Sequence, residues 1–254
     1  MKKVSNFANM LRIRLQREEI YTKQEYWDLK ATEYDDKSIS LWPNPNLNEL
    51  YHSEQISLID ELTGPVAGKK LLDVGCGMGR MSRHFAGRGA RVLGLDFSPA
   101  TVEVARGLSS NTNPEYKVGS FFELSGFADY DSVFTSAALA MACKGRDDLL
   151  CVLRQLRGAL KLGGVFLTVE PLHKGFLHRV LDMRLSEFIE ALSSCGFDVV
   201  EVRQLHFWPM RLALAYIRWP NVVTAPAYHL GQMLMRFPGL NGLGDYKAIK
   251  AIAI

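Results

Sequence analysis

The chain reads as an α/β protein with a parallel sheet covered on both faces, and three observations predict this. Short apolar runs alternate with helical patterns through the middle of the sequence. The first run opens directly into the glycine turn Gly75-Cys76-Gly77-Met78-Gly79 and then into a helix. The second run ends in an acidic residue, Asp96, just before the helix-start signal Ser98-Pro99.

Residues 1–66 read as an N-terminal helical cap segment. Val4, Phe7, Ala8, Leu11 and Leu15 recur at helical spacing, ringed by Lys2, Lys3, Arg12, Arg14 and Arg17. Such a basic amphipathic helix either packs on its own domain or lies on an anionic membrane surface. A second helix is expected from Gln24 to Asp36. The segment Trp42-Pro43-Asn44-Pro45-Asn46 is excluded from any helix interior, because a proline biases its predecessor toward extended backbone. A third helix is expected from Leu47 to Leu62.

Residues 67–206 read as the core. Strands are expected at Lys70–Val74, Arg91–Leu95, Tyr116–Gly119, Asp131–Thr135, Val165–Glu170 and Phe197–His206. Between them lie helices at Met78–Gly87, from Pro99 onward, at Asp148–Leu160 capped by Asp147 and closed by Gly163-Gly164, and from Ser186 to Gly196. Residues 207–245, rich in aromatic residues, prolines and arginines, are expected to be a cap insertion of one or two helices broken at Pro220 and Pro226. Residues 246–254 then return as the last strand, antiparallel to the strand before the excursion and beside it at a sheet edge.

Composition limits the function classes. Of 254 residues 48% are hydrophobic and 22% charged, which is a folded globular composition. A net charge of +3 gives no reason to expect a DNA-wrapping protein. Cys76, Cys143, Cys151 and Cys195 form no CxxC pair, so neither a zinc site nor a disulfide scaffold is expected, and no metal is assigned. No apolar run is long enough to span a bilayer, and no signal-like stretch follows Lys2 and Lys3. A cytoplasmic protein, with peripheral membrane contact through the basic first helix as the alternative, is the expectation.

The chemistry concentrates in Leu71-Leu72-Asp73-Val74-Gly75-Cys76-Gly77-Met78-Gly79-Arg80. Glycines allow a tight turn and close approach of a ligand to bare backbone, in the crevice at the carboxyl ends of the strands. The spacing is GxGxG, not the GxGxxG of dinucleotide folds. Asp73 suits a ligand with a cationic group, Asp96 can accept the two hydroxyls of a ribose, and Phe97 can stack on a purine.

With LLDVGCGMGR, VLGLDFSPATVEVAR and LRQLRGALKLGGVFLTVEP in place, the chain resembles the class I S-adenosylmethionine-dependent methyltransferases over about residues 67–206, and again in the last strand. The resemblance implies a Rossmann-like seven-stranded sheet, mostly parallel with an antiparallel last strand. It implies S-adenosyl-L-methionine as cofactor and S-adenosyl-L-homocysteine as product. Gly75, Gly77 and Gly79 would line the methionine and ribose portion, with Asp73 near the amino group, Asp96 on the ribose and Phe97 against adenine. Ser120 stands where many members carry an acid facing the adenine amine, Phe121 would flank adenine, and Ser136 matches a backbone contact to the methionine part. Tyr34 lies on an N-terminal helix that the resemblance places over the cofactor.

Transfer to a hydroxyl calls for a base. His173, just beyond the fifth strand, is the first candidate, followed by His52 and His206; for each, a capping or solvated histidine is the plainer alternative. Trp42, His52, Trp208 and Arg211 are expected to line an acceptor pocket, since aromatic residues mixed with arginine stack on rings and sugars and bind acidic groups. The expected activity is O-methylation of a small molecule or of a sugar of a glycan or lipid-linked glycan. An RNA methyltransferase and a non-catalytic S-adenosylmethionine-binding protein are the alternatives. RNA is disfavoured because no continuous basic face is evident.

Overall fold

A computed structural model describes residues 15–33, 42–110 and 112–254. Tyr34 lies outside the described residues, as does the N-terminal apolar stripe except Leu15, which is 84% exposed. Three helices precede the sheet: α1 (Arg17–Tyr21), α2 (Gln24–Glu33) and α3 (Pro45–Thr63). Then follow β1 (Lys70–Val74), α4 (Arg80–Gly87), β2 (Arg91–Asp96), α5 (Pro99–Gly107), β3 (Glu115–Val118) and β4 (Tyr130–Ser136). A short α6 (Leu139–Ala142), α7 (Arg146–Ala159), β5 (Leu160–Glu170), α8 (Leu185–Ser194) and β6 (Phe197–Phe207) come next. The chain closes with α9 (Trp208–Leu214), α10 (Asn221–Leu234) and β7 (Gly244–Ala253).

The seven strands form one sheet in the order β3-β2-β1-β4-β5-β7-β6. All neighbours up to β5 are parallel, and β7 runs antiparallel between β5 and β6. The last strand is thus interior, and β6 is the edge of the expected antiparallel pair. Strand periodicity explains the double cover, since alternate residues point to opposite faces. Leu72, Val74, Val133, Phe166 and Ile249 join the core under α7 and α8. Leu71, Phe134, Leu167 and Ala248 join the opposite core, with Leu47, Tyr51, Ile59 and Leu62 of α3 and Phe85 of α4. With the buried Gln55 between Tyr51 and Ile59, those α3 residues recur three or four apart and form the stripe that a helix must bury.

Three local readings are corrected. The helix expected from Asp148 begins at Arg146, with Gly145 as N-cap and no side-chain cap; Asp147 and Asp148 lie in its first turn, and Asp148 accepts from Lys144 N–H (2.9 Å). Gly163-Gly164 do not follow a helix end but lie within β5. There Gly163 at φ 75° accompanies the register jump from Tyr130↔Leu160 to Ser132↔Val165. Pro226 does not break α10: it sits inside the helix on the exposed side, and the carbonyl it leaves unpaired belongs to the exposed Val222. Ser98 caps α5 as expected, its hydroxyl accepting from Thr101 N–H (3.1 Å) with Pro99 at the first helical position.

One buried side chain joins both cap helices to α3. Asn44 is the N-cap of α3, accepting from Leu47 N–H (3.4 Å), while its amide donates to the Leu214 carbonyl (3.0 Å) and to Thr224 Oγ1 (3.2 Å). It therefore joins α3, α9 and α10. No helix among the described residues is long and apolar enough to cross a membrane.

Candidate active site

Because β1, β2, β4, β5 and β6 share one direction, their carboxyl ends lie along one edge of the sheet. The first residues of β7 reach the same edge, since Glu170 pairs with Lys247 and Phe207 with Gly244. Every site described below lies along that edge.

The glycine turn is held by backbone. Gly75 and Cys76 N–H both donate to the Leu95 carbonyl (2.8 and 3.0 Å), and Gly75, Gly77 and Gly79 all have positive φ. A side chain at Gly75 would meet Ala138 Cβ at 2.5 Å, and one at Gly79 the Tyr116 ring and hydroxyl at 2.1–2.7 Å. At Gly77 nothing lies within 4 Å, so this glycine alone of the three fronts open space. Gly77 N–H donates to Asp96 Oδ2 (2.9 Å), and Ser98 N–H donates to Asp96 Oδ1 (3.0 Å). A carboxylate offers about four acceptor positions, which leaves roughly two for other donors. Burial raises the Asp96 carboxyl above its ordinary value, against those backbone hydrogen bonds. Phe97, beside it, is half-buried.

Asp73 is enclosed, at 2% exposure, and accepts a 2.5 Å hydrogen bond from Ser82 Oγ. Burial pushes its carboxyl up to about 7, opposed by Ser82 and Arg80. The Arg80 guanidinium pairs with the ring of His52 and reaches Gln55 Oε1 (3.4 Å). His52 therefore lies against a cation beside the turn.

Two neighbouring strand ends complete this half. Ser120 accepts from Phe122 N–H (3.2 Å), and Phe121, stacked on Phe122, lies near Gly75. Ser136 ends β4 half-buried, followed by Ala137 at φ 55°, a conformation that costs a non-glycine residue energy and needs support. The support includes Glu170, which is fully buried. It accepts from the backbone of Leu139 (3.3 Å) and Ala140 (3.0 Å) and from the hydroxyls of Thr135 and Thr168 (both 3.2 Å). Burial pushes this carboxyl up to about 7 despite four donors.

The second half is built from side chains. His173 Nε2 lies 3.0 Å from Asp245 Oδ1, and Arg211 Nε lies 3.0 Å from Asp245 Oδ2. Burial would raise the Asp245 carboxyl, but Arg211, the His173 hydrogen bond and Arg179 outweigh it and hold it at about 2. Burial lowers His173 below its ordinary 6.5, with Asp245 opposing. The histidine backbone is fixed as well, since its carbonyl accepts from Met183 N–H (3.3 Å). Arg211 is 2% exposed, and its guanidinium sits 5.7 Å from the Trp42 ring centre. Trp42 in turn packs edge-on against Tyr51 (4.6 Å). The sequence-predicted Trp42, Arg211 and His173 thus converge. Trp208 opens α9 half-buried, its backbone N–H donating to the Leu243 carbonyl (3.0 Å). His206 is fully buried, stacked on Tyr51 at 3.5 Å and bonded through Nδ1 to the Tyr228 hydroxyl (2.9 Å); burial pushes it down to about 3.

Sequence reasoning missed four members of this arrangement. Asp245 is separated from His173 by 72 positions and had no local signal. Arg179 lies in the field of Asp245 and Tyr246, and its buried Nε has no hydrogen-bond partner among the described residues. Asp28, in α2, accepts from Ser98 Oγ (2.6 Å) and Ala100 N–H (3.3 Å), joining the N-terminal helices to the start of α5. Glu170 could have been found, because an acid closing a continuous apolar strand must be satisfied internally.

Comparison with known proteins agrees with this geometry. A family model described as a methyltransferase domain matches residues 72–168, the segment from β1 through β5. The curated ubiquinone biosynthesis O-methyltransferase of Marinobacter nauticus is 27% identical over 202 residues, covering 71% of this chain and 83% of that protein. The protein of the same name from Pseudomonas fluorescens is 42% identical over 84 residues, 32% of this chain and 34% of that one. Magnesium protoporphyrin IX methyltransferase of Synechocystis PCC 6803, solved with bound S-adenosylmethionine, superposes with a TM-score of 0.61 at 13% identity over 95% of this chain and 97% of its own. The S-adenosylmethionine-dependent methyltransferase of Mesorhizobium loti gives 0.59 at 19% identity over 81% and 99%. The matched segment carries the glycine turn and the seven-stranded order is complete, so residues 72–168 are a methyltransferase domain and the chain has the fold of the S-adenosylmethionine-dependent methyltransferases.

Proposed function

We propose that the enzyme methylates a hydroxyl oxygen of a small-molecule acceptor, with a sugar hydroxyl of a glycan or lipid-linked glycan as one acceptor class, and that His173 takes the proton. The observation that carries this reading is the 3.0 Å contact between His173 Nε2 and a buried carboxylate at the same sheet edge as the glycine turn. The O-methyltransferase names of the curated relatives support the oxygen assignment.

The cofactor supplies an activated methyl group on a sulfonium. The residues present fit it: open space in front of Gly77 admits a ligand against bare backbone, and Asp96 keeps acceptor positions for two ribose hydroxyls. Gly75, Gly77, Gly79 and the Ser136 backbone would hold its amino-acid and ribose portions, with Asp73 on the side of its amino group. Phe97, Phe121 and Ser120 would border its adenine; Tyr34, also expected over the cofactor, lies outside the described residues. His52, Trp42, Arg211 and Trp208 line the acceptor side. Asp245 accepts the Nε2 hydrogen of His173 and so fixes the tautomer whose Nδ1 is a free base. His173 Nδ1 would take the proton of the acceptor hydroxyl as its oxygen receives the methyl group that the cofactor supplies. The lowered pKa keeps the imidazole neutral, and hence basic, at pH 7.

The test is transfer of isotopically labelled methyl from S-adenosylmethionine to panels of phenolic and sugar acceptors, with the product bond assigned by NMR. Label in a methyl ether is expected, with loss of turnover but intact cofactor affinity in His173→Ala. Label on nitrogen or carbon, or full turnover in that variant, overturns the reading.

A further inference from the structure

The cap helices expose an apolar face that no described element covers. Among the described residues, fifteen large apolar side chains are exposed, and eight lie between Leu212 and Phe237. Isolated exposed apolar side chains are ordinary, but a contiguous set marks a contact surface. The arrangement on α10 is ordered. Thr224, Tyr228 and Gly231 are buried. Val222, Pro226, Leu230 and Met233 are exposed, and their spacing of four, four and three puts them within about 80° of arc at ~100° per residue, nearly opposite the buried face. Val222 is 81% exposed, Met233 57%, Phe237 just beyond the helix 58% and Ile217 just before it 54%.

The segment that carries this stripe bears charge of one sign, while Glu54 of α3 acts on Tyr228, on the buried side of α10. No aspartate or glutamate occurs from Val202 through Gly244, whereas Arg218 and Arg236 are exposed on either side of α10, and His229 is exposed on it. A second copy of this chain would meet its own arginines there, and a protein partner needs no such bias. An anionic lipid surface matches both properties, apolar side chains entering the acyl boundary and arginines meeting headgroup phosphates. We propose that α10 lies in the plane of an anionic bilayer surface and docks the enzyme there through the Val222–Phe237 face. The docked face belongs to the same cap as the proposed acceptor side, because α9, which carries Arg211, precedes α10 directly and is tied with it to Asn44. The surface is independent of the basic N-terminal stripe and of the acceptor's identity.

The experiment is co-sedimentation of the full chain with vesicles of phosphatidylcholine alone or mixed with phosphatidylglycerol, at low and high salt. Binding to the mixed vesicles, weakened by salt, is expected. Met233→Glu with Phe237→Glu is expected to reduce it about tenfold or more, and Arg218→Gln with Arg236→Gln to flatten the salt dependence. S-adenosylmethionine affinity, read by calorimetry, should stay unchanged in both, which separates a lost surface from a lost fold or a failed active-site assignment. Absence of binding to mixed vesicles overturns the proposal. So does undiminished binding in the glutamate variant, which would move the contact to the N-terminal segment. A dimer in light scattering that the glutamate variant dissociates, without vesicle binding, would assign the face to a second copy instead.

Discussion

The two halves of the carboxyl edge are made of different material. From β2 to β4 the site is largely backbone: three glycines at positive φ, N–H groups converging on Leu95 and Asp96, and one open position at Gly77. From β5 to β6 it is side chain: His173, Asp245, Arg211 and Trp42, drawn from four separate stretches of sequence. A backbone cradle can be written in ten consecutive residues and serve any acceptor. A side-chain cluster is specific, and its members are set by topology. On the proposed reading, methyl-donor binding falls to the first half and acceptor choice to the second, so the halves should fail differently when altered.

The largest expected effect is in the side-chain half. His173→Ala should lower kcat by about 10²–10⁴-fold, the usual range for a positioned base, with the S-adenosylmethionine Kd unchanged. The pH profile sharpens the point. Burial lowers the folded pKa of His173 below 6.5, so the acid limb of kcat/KM should fall below 6.5, activity being lost as pH drops through that lowered value and the base is protonated. Asp245 opposes the lowering, so Asp245→Asn should move the limb to still lower pH while reducing kcat. An acid limb at or above 6.5 in the wild type would remove His173 from the reaction.

Next in size is a stability effect in the same half. Asp245→Ala leaves Arg211, at 2% exposure, without its carboxylate, and breaking a buried pair in this way costs about 3–5 kcal/mol. Urea unfolding should show that loss, and the double variant Asp245→Ala with Arg211→Met should recover much of it. Equal destabilisation in the double variant would mean that the pair contributes little to the fold.

The backbone half offers a smaller contrast within a single turn. Gly77→Ala meets open space, so it pays only left-handed backbone strain, about 1–2 kcal/mol, and should lower cofactor affinity while folding normally. Gly79→Ala carries the same strain and drives a Cβ into Tyr116, itself packed on Val102 and Ala105, adding about 1–3 kcal/mol of overpacking. Thermal unfolding and calorimetry with S-adenosylmethionine should therefore separate the two glycines. If both lose stability equally, the open position at Gly77 is not where the ligand enters.

What could be read in the sequence follows the same division. The strand alternation, the glycine turn, Asp96 and the Ser98 cap were legible because each is local: its signal and its structural consequence lie within a few residues. The antiparallel β6–β7 pair was legible because an apolar run returned after a long excursion. The dyad was half legible. His173 stood out by following a strand, but Asp245 and Arg179 acquire meaning only when β7 threads between β5 and β6 and brings residue 245 beside residue 173. The α7 start was misread for a related reason, since Gly145 caps it through backbone alone while Asp148 reaches back to Lys144.

The smallest expected effect tests where the halves meet the N-terminal helices. Ser98 Oγ accepts from Thr101 N–H at the start of α5 and donates to Asp28 Oδ1 of α2, while the Ser98 backbone N–H holds Asp96. Ser98→Ala keeps the backbone contact and removes the cap, so it should cost about 1 kcal/mol, and cofactor affinity should change little. At this chain length that loss corresponds to a Tm shift of about 2–4 °C. Asp28→Ala leaves the cap in place and removes only the tie to α2, so its thermal shift should be smaller still. If Asp28→Ala instead weakens S-adenosylmethionine binding, the N-terminal helices belong to the cradle itself, and the backbone half of the site depends on a side-chain latch after all.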